Sequence, residues 1–187
     1  MFTLDTQTWM ILAGVGVFVL IALAAWRIHH NRKQSHQLRE RFGPEYNRSV
    51  DHLGSRRKAE SELKARERRV ESLTIVPLLP SEAARFGETW KDLQGRFVDN
   101  PKSAVIQADQ LVRELMVKRG YPMADFERRA ADISVDHPEV VAHYRAAQAI
   151  AVRDERGEAD TEELRKAIVH YRALFDELLE VREARAA

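Results

Sequence analysis

The 187-residue chain contains no cysteine. That absence excludes disulfide frameworks, thiol nucleophiles, iron–sulfur clusters and cysteine-based zinc sites together. Glycine and proline are sparse, at 8 and 6 residues, which removes collagen-like and low-complexity architectures. The familiar catalytic signatures are also missing. There is no GxxxxGK followed by Ser or Thr, no GxGxxG after a strand, no GxSxG and no HExxH. The paired Glu-x-x-His ligands of ferritin-like bundles are absent as well. These gaps favour a non-enzymatic protein with no resident cofactor or metal.

What is present divides into three parts. With 44% hydrophobic and 32% charged residues, the chain is neither a polar disordered polymer nor a multi-span membrane protein. Its net charge of +1 hides a segregation: residues 1–26 carry −1, residues 27–73 carry +6 and residues 74–187 carry −4. The chain therefore reads as an apolar start, a basic stem and a mildly acidic body.

After a short N-terminal stretch (residues 1–8), residues 9–26 read WMILAGVGVFVLIALAAW, with nothing charged or strongly polar. At a rise of ~1.5 Å per residue the run is about 27 Å long, close to the ~30 Å hydrocarbon core of a bilayer. Trp9 and Trp26 stand at its ends, where an amphipathic ring suits the headgroup level. A cleaved signal peptide is the rival reading, because Ala22-Leu23-Ala24 offers a small-x-small cleavage site. Against it, the first eight residues hold no Lys or Arg, whereas Arg27, Arg32, Lys33, Arg39 and Arg41 follow the run. The positive flank stays cytoplasmic. The expectation is a single-pass anchor in a bacterial inner membrane, N-terminus out and C-terminal domain in, with export after cleavage as the alternative.

Residues 27–73 form the stem. A helix is expected to run on from the membrane and stop at Gly43-Pro44. A second, charged helix should follow. Tyr46, Val50 and Leu53 make one apolar stripe, and Ala59, Leu63, Val70 and Leu73 another on nearly the opposite side. Gly54-Ser55 marks the changeover and predicts a break. The thin stripes can rest on the body, or can pair two copies as a homodimer through residues 45–73 in a short coiled coil. Nucleic-acid binding is not expected, because no aromatic or Gly-rich element accompanies the basic run.

Residues 74–80 are an extended, Pro-containing connector, since no helix crosses both Pro77 and Pro80. Ile75, Val76, Leu78 and Leu79 are expected to lie across the body. Residues 81–187 show helical punctuation throughout. Ser81 is a candidate cap for a helix with Phe86, Trp90, Leu93 and Phe97 on one stripe. Asn100-Pro101 opens the next helix and Gly120 ends it. A short helix near Asp125–Ile133 precedes one opened by Pro138. Asp160 and Glu163 then form a capping box, with Thr161 a competing cap, before the last helix. No segment alternates like a strand. The fold class is all-α: a transmembrane helix, a charged helical stem and a small antiparallel bundle.

One polar group invites a chemical reading. Asp132, Asp136 and His137 precede Pro138, with His143 beyond, and carboxylates with imidazoles can bind a divalent metal or exchange protons. That supports a small-molecule or metal-responsive domain, which could be enzymatic, as the alternative function. The spacing is wrong for a simple helical site, because His137 and His143 are six apart. Caps also account for the group: Asp136 as the helix cap, Glu139 at its positive N-terminus, His143 beside the core. A tetrapeptide echo, His143-Tyr144-Arg145-Ala146 and His170-Tyr171-Arg172-Ala173, has a spacing of 27 that fits no common helical repeat. Shared packing chemistry, with both tyrosines on the apolar face, accounts for it.

The succession RFGPEYNRSV, RRKAESELKARERRVESLTIVPL, FVDNPKSAVIQADQLV, GYPMADFERRAADISVDHPEVVAHYRAA and LRKAIVHYRALFDELL resembles a group of uncharacterised bacterial single-pass membrane or secreted proteins with a helical C-terminal domain. The resemblance covers most of residues 39–179. It implies one ordered domain in a bacterial protein and transfers no activity, ligand or site residue. The function expected is a tether or interaction module with an unidentified protein partner, held to the lipid bilayer by residues 9–26.

Overall fold

Four of the prolines stand at the first turn of helices, where a fixed φ and a missing N–H cost nothing: Pro44, Pro80, Pro101 and Pro138. The computed structural model describes residues 32–179 together with Gly16, Phe18, Ala22, Leu23, Trp26, Arg27 and His29. Two compact units divide the chain, Met1–Glu40 and Arg41–Ala187. In the first, residues 32–40 are helical, and His36 pairs with Glu40 one turn on at 3.2 Å. The apolar run from Trp9 to Trp26 lies outside the described residues, except for Gly16, Phe18, Ala22, Leu23 and Trp26. Among the described residues no helix is long and apolar enough to cross a membrane.

The second unit is all-α, without a strand among the described residues. Its helices are α1 (Pro44–Leu53), α2 (Arg56–Glu71), α3 (Pro80–Phe97), α4 (Pro101–Arg119), α5 (Phe126–Asp136), α6 (Pro138–Glu155) and α7 (Thr161–Leu178). Residues 44–71, expected as a stem, share this unit with the bundle. The break at Gly54 is present, with φ 61°.

Charged pairs report how the long helices run. Glu82 meets Lys118 at 2.5 Å and Arg96 donates to Gln107 at 3.4 Å, so α3 and α4 are antiparallel. His137 faces Glu177 at 2.9 Å and Arg153 faces Glu163 at 2.5 Å, so α6 and α7 are antiparallel too. Tyr171 reaches Asp109 at 3.2 Å and Arg119 reaches the Leu178 carbonyl at 3.2 Å, which makes α4 and α7 parallel neighbours. The long helices α3, α4, α6 and α7 therefore alternate in direction along the chain, as in the small antiparallel bundle expected, and α4 and α7, second neighbours in that order, run parallel. The short α5 carries the chain from the end of α4 to the start of α6 at one end of α7.

The core is the set of stripes read from the sequence. Phe86, Trp90 and Leu93 meet Val105, Val112 and Leu115 and, from α6 and α7, Tyr144, Leu164, Tyr171, Leu174 and Phe175, all buried. Trp90 stacks on Phe175 with ring centroids 4.6 Å apart. Helix α5 differs: every residue from Arg129 to Val135 is buried, polar ones included.

Local signals were mostly honoured. Asn100 accepts from the Ser103 N–H, Asp125 from that of Arg128, and Asp160 and Glu163 close a reciprocal capping box. Gly120 ends α4 at φ 99°, and a Cβ there would stand 2.2 Å from the Thr74 carbonyl oxygen. The connector approaches at this point, with the Val76 N–H donating to the Arg119 carbonyl. Of its aliphatics Leu78 is buried, Ile75 packs partly, and Val76 and Leu79 stay exposed. Two caps differ from expectation. Pro80 takes the first helical position ahead of Ser81, and the Glu82 carboxylate accepts from the Leu79 N–H. Asp136 closes α5, and His137 is the residue before α6, without a side-chain cap. The buried face of α1 is Glu45, Tyr46 and Ser49, not Tyr46, Val50 and Leu53. Long-range guanidinium groups satisfy Glu45 there, which a stripe of aliphatics could not do.

Candidate functional site

The four residues expected as a polar cluster point to different partners. Asp132 is buried under Arg69, whose Nε donates to Oδ1 at 2.7 Å. Asp136 is exposed and accepts from the Tyr121 hydroxyl, at 3.5 Å. His137 turns to Glu177 on α7. His143 turns to His170, Nδ1 to Nδ1, at 2.9 Å. Among the described residues no three His, Asp or Glu side chains are grouped to hold a metal ion.

The His143–His170 contact has a clear structural origin. The two copies of His-Tyr-Arg-Ala occupy antiparallel α6 and α7, where the histidines and the tyrosines meet their counterparts, while Arg145 and Arg172 turn to other partners. Tyr144 and Tyr171 are fully buried and approach edge-on at 6.4 Å. The imidazoles lie one residue earlier, on the outer side, with ring centroids 5.1 Å apart. Partial burial, followed by the neighbouring charge of His143, holds the His170 imidazole below its ordinary 6.5. Burial acts oppositely on the phenols, raising Tyr121, Tyr144 and Tyr171 and keeping them protonated.

A second locus lies between α1, α2, α5 and α6, where a groove of about 630 Å³ is lined by Arg48, Arg66, Arg69, Arg128 and Arg145. Glu45 is its hub. Buried to 4% exposure, its carboxylate accepts from Arg66 at 3.2 Å and Arg145 at 3.0 Å, with Arg48 at 3.6 Å. Arg145 also reaches Glu127 at 2.7 Å. Guanidinium groups bind and orient carboxylates or phosphates but do not shuttle protons. Here Arg48, Arg66, Arg69 and Arg145 are turned on the protein's own acids.

The third locus is a groove of about 700 Å³ beside α3 and α4, with Phe86, Val117 and Met123 among Arg85, Arg113, Glu114 and Lys118. Met123 is 73% exposed.

Compared with family models, curated proteins and solved structures, the chain matches none. The Glu45 hub gave no sequence signal, because its partner Arg145 lies 100 residues away. The histidine pair did have one: the repeated tetrapeptide itself.

Proposed function

We propose that the chain is a membrane-tethered, non-enzymatic helical module that holds a protein partner at the inner leaflet of a bacterial plasma membrane. The observation that carries this reading is the order of its parts. A charge-free run of 18 residues between Trp9 and Trp26 leads into Arg27, Arg32, Lys33, Arg39 and Arg41, and then into the compact helical unit Arg41–Ala187. Within the run Phe18, Leu23 and Trp26 are 72%, 55% and 67% exposed, as side chains in contact with lipid would be. Basic residues beside an anionic leaflet gain about 1 kcal/mol each, which favours retention of that flank in the cytoplasm. The tether then displays the grooves of the helical unit to a cytoplasmic partner. A homodimer through residues 45–73 would have to use other residues than Ala59, Leu63 and Val70, which are already buried.

The cysteine-free chain makes the test clean. A single Glu158→Cys change places a thiol at an exposed turn, and intact and lysed cells are treated with a membrane-impermeant maleimide. The reading expects labelling only after lysis, with the chain retained in membranes after alkaline carbonate extraction. Labelling of intact cells, or release by carbonate, overturns it.

A further inference from the structure

The seam between α6 and α7 pairs acids with bases at its two ends, His137 with Glu177 and Arg153 with Glu163. Between them it pairs two bases, His143 and His170. As a structural tie this is a poor choice: one shared proton joins the Nδ1 atoms, and protonation of both rings sets like charges against each other. As a ligand set it is apt. Neutral imidazole is the commonest protein ligand for first-row transition metals. Two imidazole nitrogens on a tetrahedral ion with bonds of about 2.0–2.1 Å stand about 3.3 Å apart. The pair at 2.9 Å has to open by about 0.4 Å to reach that distance. His143 is exposed and His170 half-buried, so an ion can enter from solvent. Burial of both adjacent tyrosines, Tyr144 and Tyr171, fixes the turns that carry the rings.

We propose that His143 and His170 form a two-imidazole chelate for a divalent first-row transition metal ion, with water completing its coordination. The site differs from the Asp132, Asp136, His137 and His143 group read from the sequence, of which it keeps only His143. It also does not depend on the tethering role.

The test uses the full chain in detergent, titrated with Cu2+ alone and followed by electron paramagnetic resonance. The expected result is one site with the hyperfine pattern of two nitrogen ligands. That pattern should be lost in His143→Gln and equally in His170→Gln, and retained in His137→Gln. Persistence of the two-nitrogen pattern in either of the first two variants overturns the proposal, as does its loss in His137→Gln. A Zn2+ titration of the unaltered chain, read from the imidazole nitrogen resonances, removes any dependence on variants that fold poorly. His143 and His170 should move together. Movement of neither, or of His137 in their place, overturns it.

Discussion

Two helical hairpins of the Arg41–Ala187 unit, α6–α7 and α1–α2, differ in the polar share of their contacts. Helices α6 and α7 meet through fully buried tyrosines and aliphatics, with their charged pairs lying along the outer seam. Helices α1 and α2 meet through a polar set: the Tyr46 hydroxyl donates to Glu60 at 2.9 Å and accepts from Arg56 at 3.1 Å. Glu45 gathers Arg66 within that hairpin and Arg145 from α6, and Arg69 covers Asp132 on α5. Apolar burial is non-directional and tolerates small shifts. A buried ion pair contributes little net stability, yet it demands one geometry and penalises loss of either partner. The first hairpin is therefore a foundation and the second is a docked, register-specific attachment.

Substitutions can break or sharpen that contrast. The largest effect is expected at Trp90, fully buried and stacked on Phe175. Trp90→Ala should cost about 3–5 kcal/mol in denaturant unfolding and lower hydrogen-exchange protection throughout α3 to α7. Glu45→Ala leaves Arg66 and Arg145 facing each other and should cost about 3 kcal/mol. Its exchange signature should be confined to α1, α2 and α5. If both variants loosen every helix alike, the unit is one cooperative block and the contrast fails.

The smallest effect is the pH response of the seam. The folded state holds His170 below 6.5, so the unfolded chain binds more protons just below that pH. Stability from this group is present above 6.5 and is lost as pH falls toward the depressed folded value. His170→Gln should flatten that limb when urea midpoints are compared on either side of 6.5. An unchanged limb would assign the pH response elsewhere.

The helix ends that were legible are those set by neighbours in the chain. Asn100, Asp125 and Asp160 each bind an N–H three residues on. Gly120 was readable as a stop, although its second role, letting the Thr74 carbonyl approach, was not. Ser81 and Asp136 misled because a nearby proline sets each helix start: Pro80 puts Ser81 inside α3, and Pro138 leaves His137, not Asp136, as the residue before α6. The candidate site was least legible. Asp132 is paired with Arg69, 63 residues away, and no local pattern couples them. The tetrapeptide echo was visible, but its spacing excluded a repeat. Its meaning depended on a turn at Gly157 that lays the two copies side by side.

The sequence alone determined the helical class, most helix ends and the composition of the apolar core, because periodicity and capping act within a few residues. Tertiary structure decided that residues 44–71 dock on the bundle, that α4 and α7 run parallel, and that His143 faces His170. Those outcomes rest on contacts between distant segments. There the free energy is set by which side chains converge, and not by which residues are neighbours in the chain.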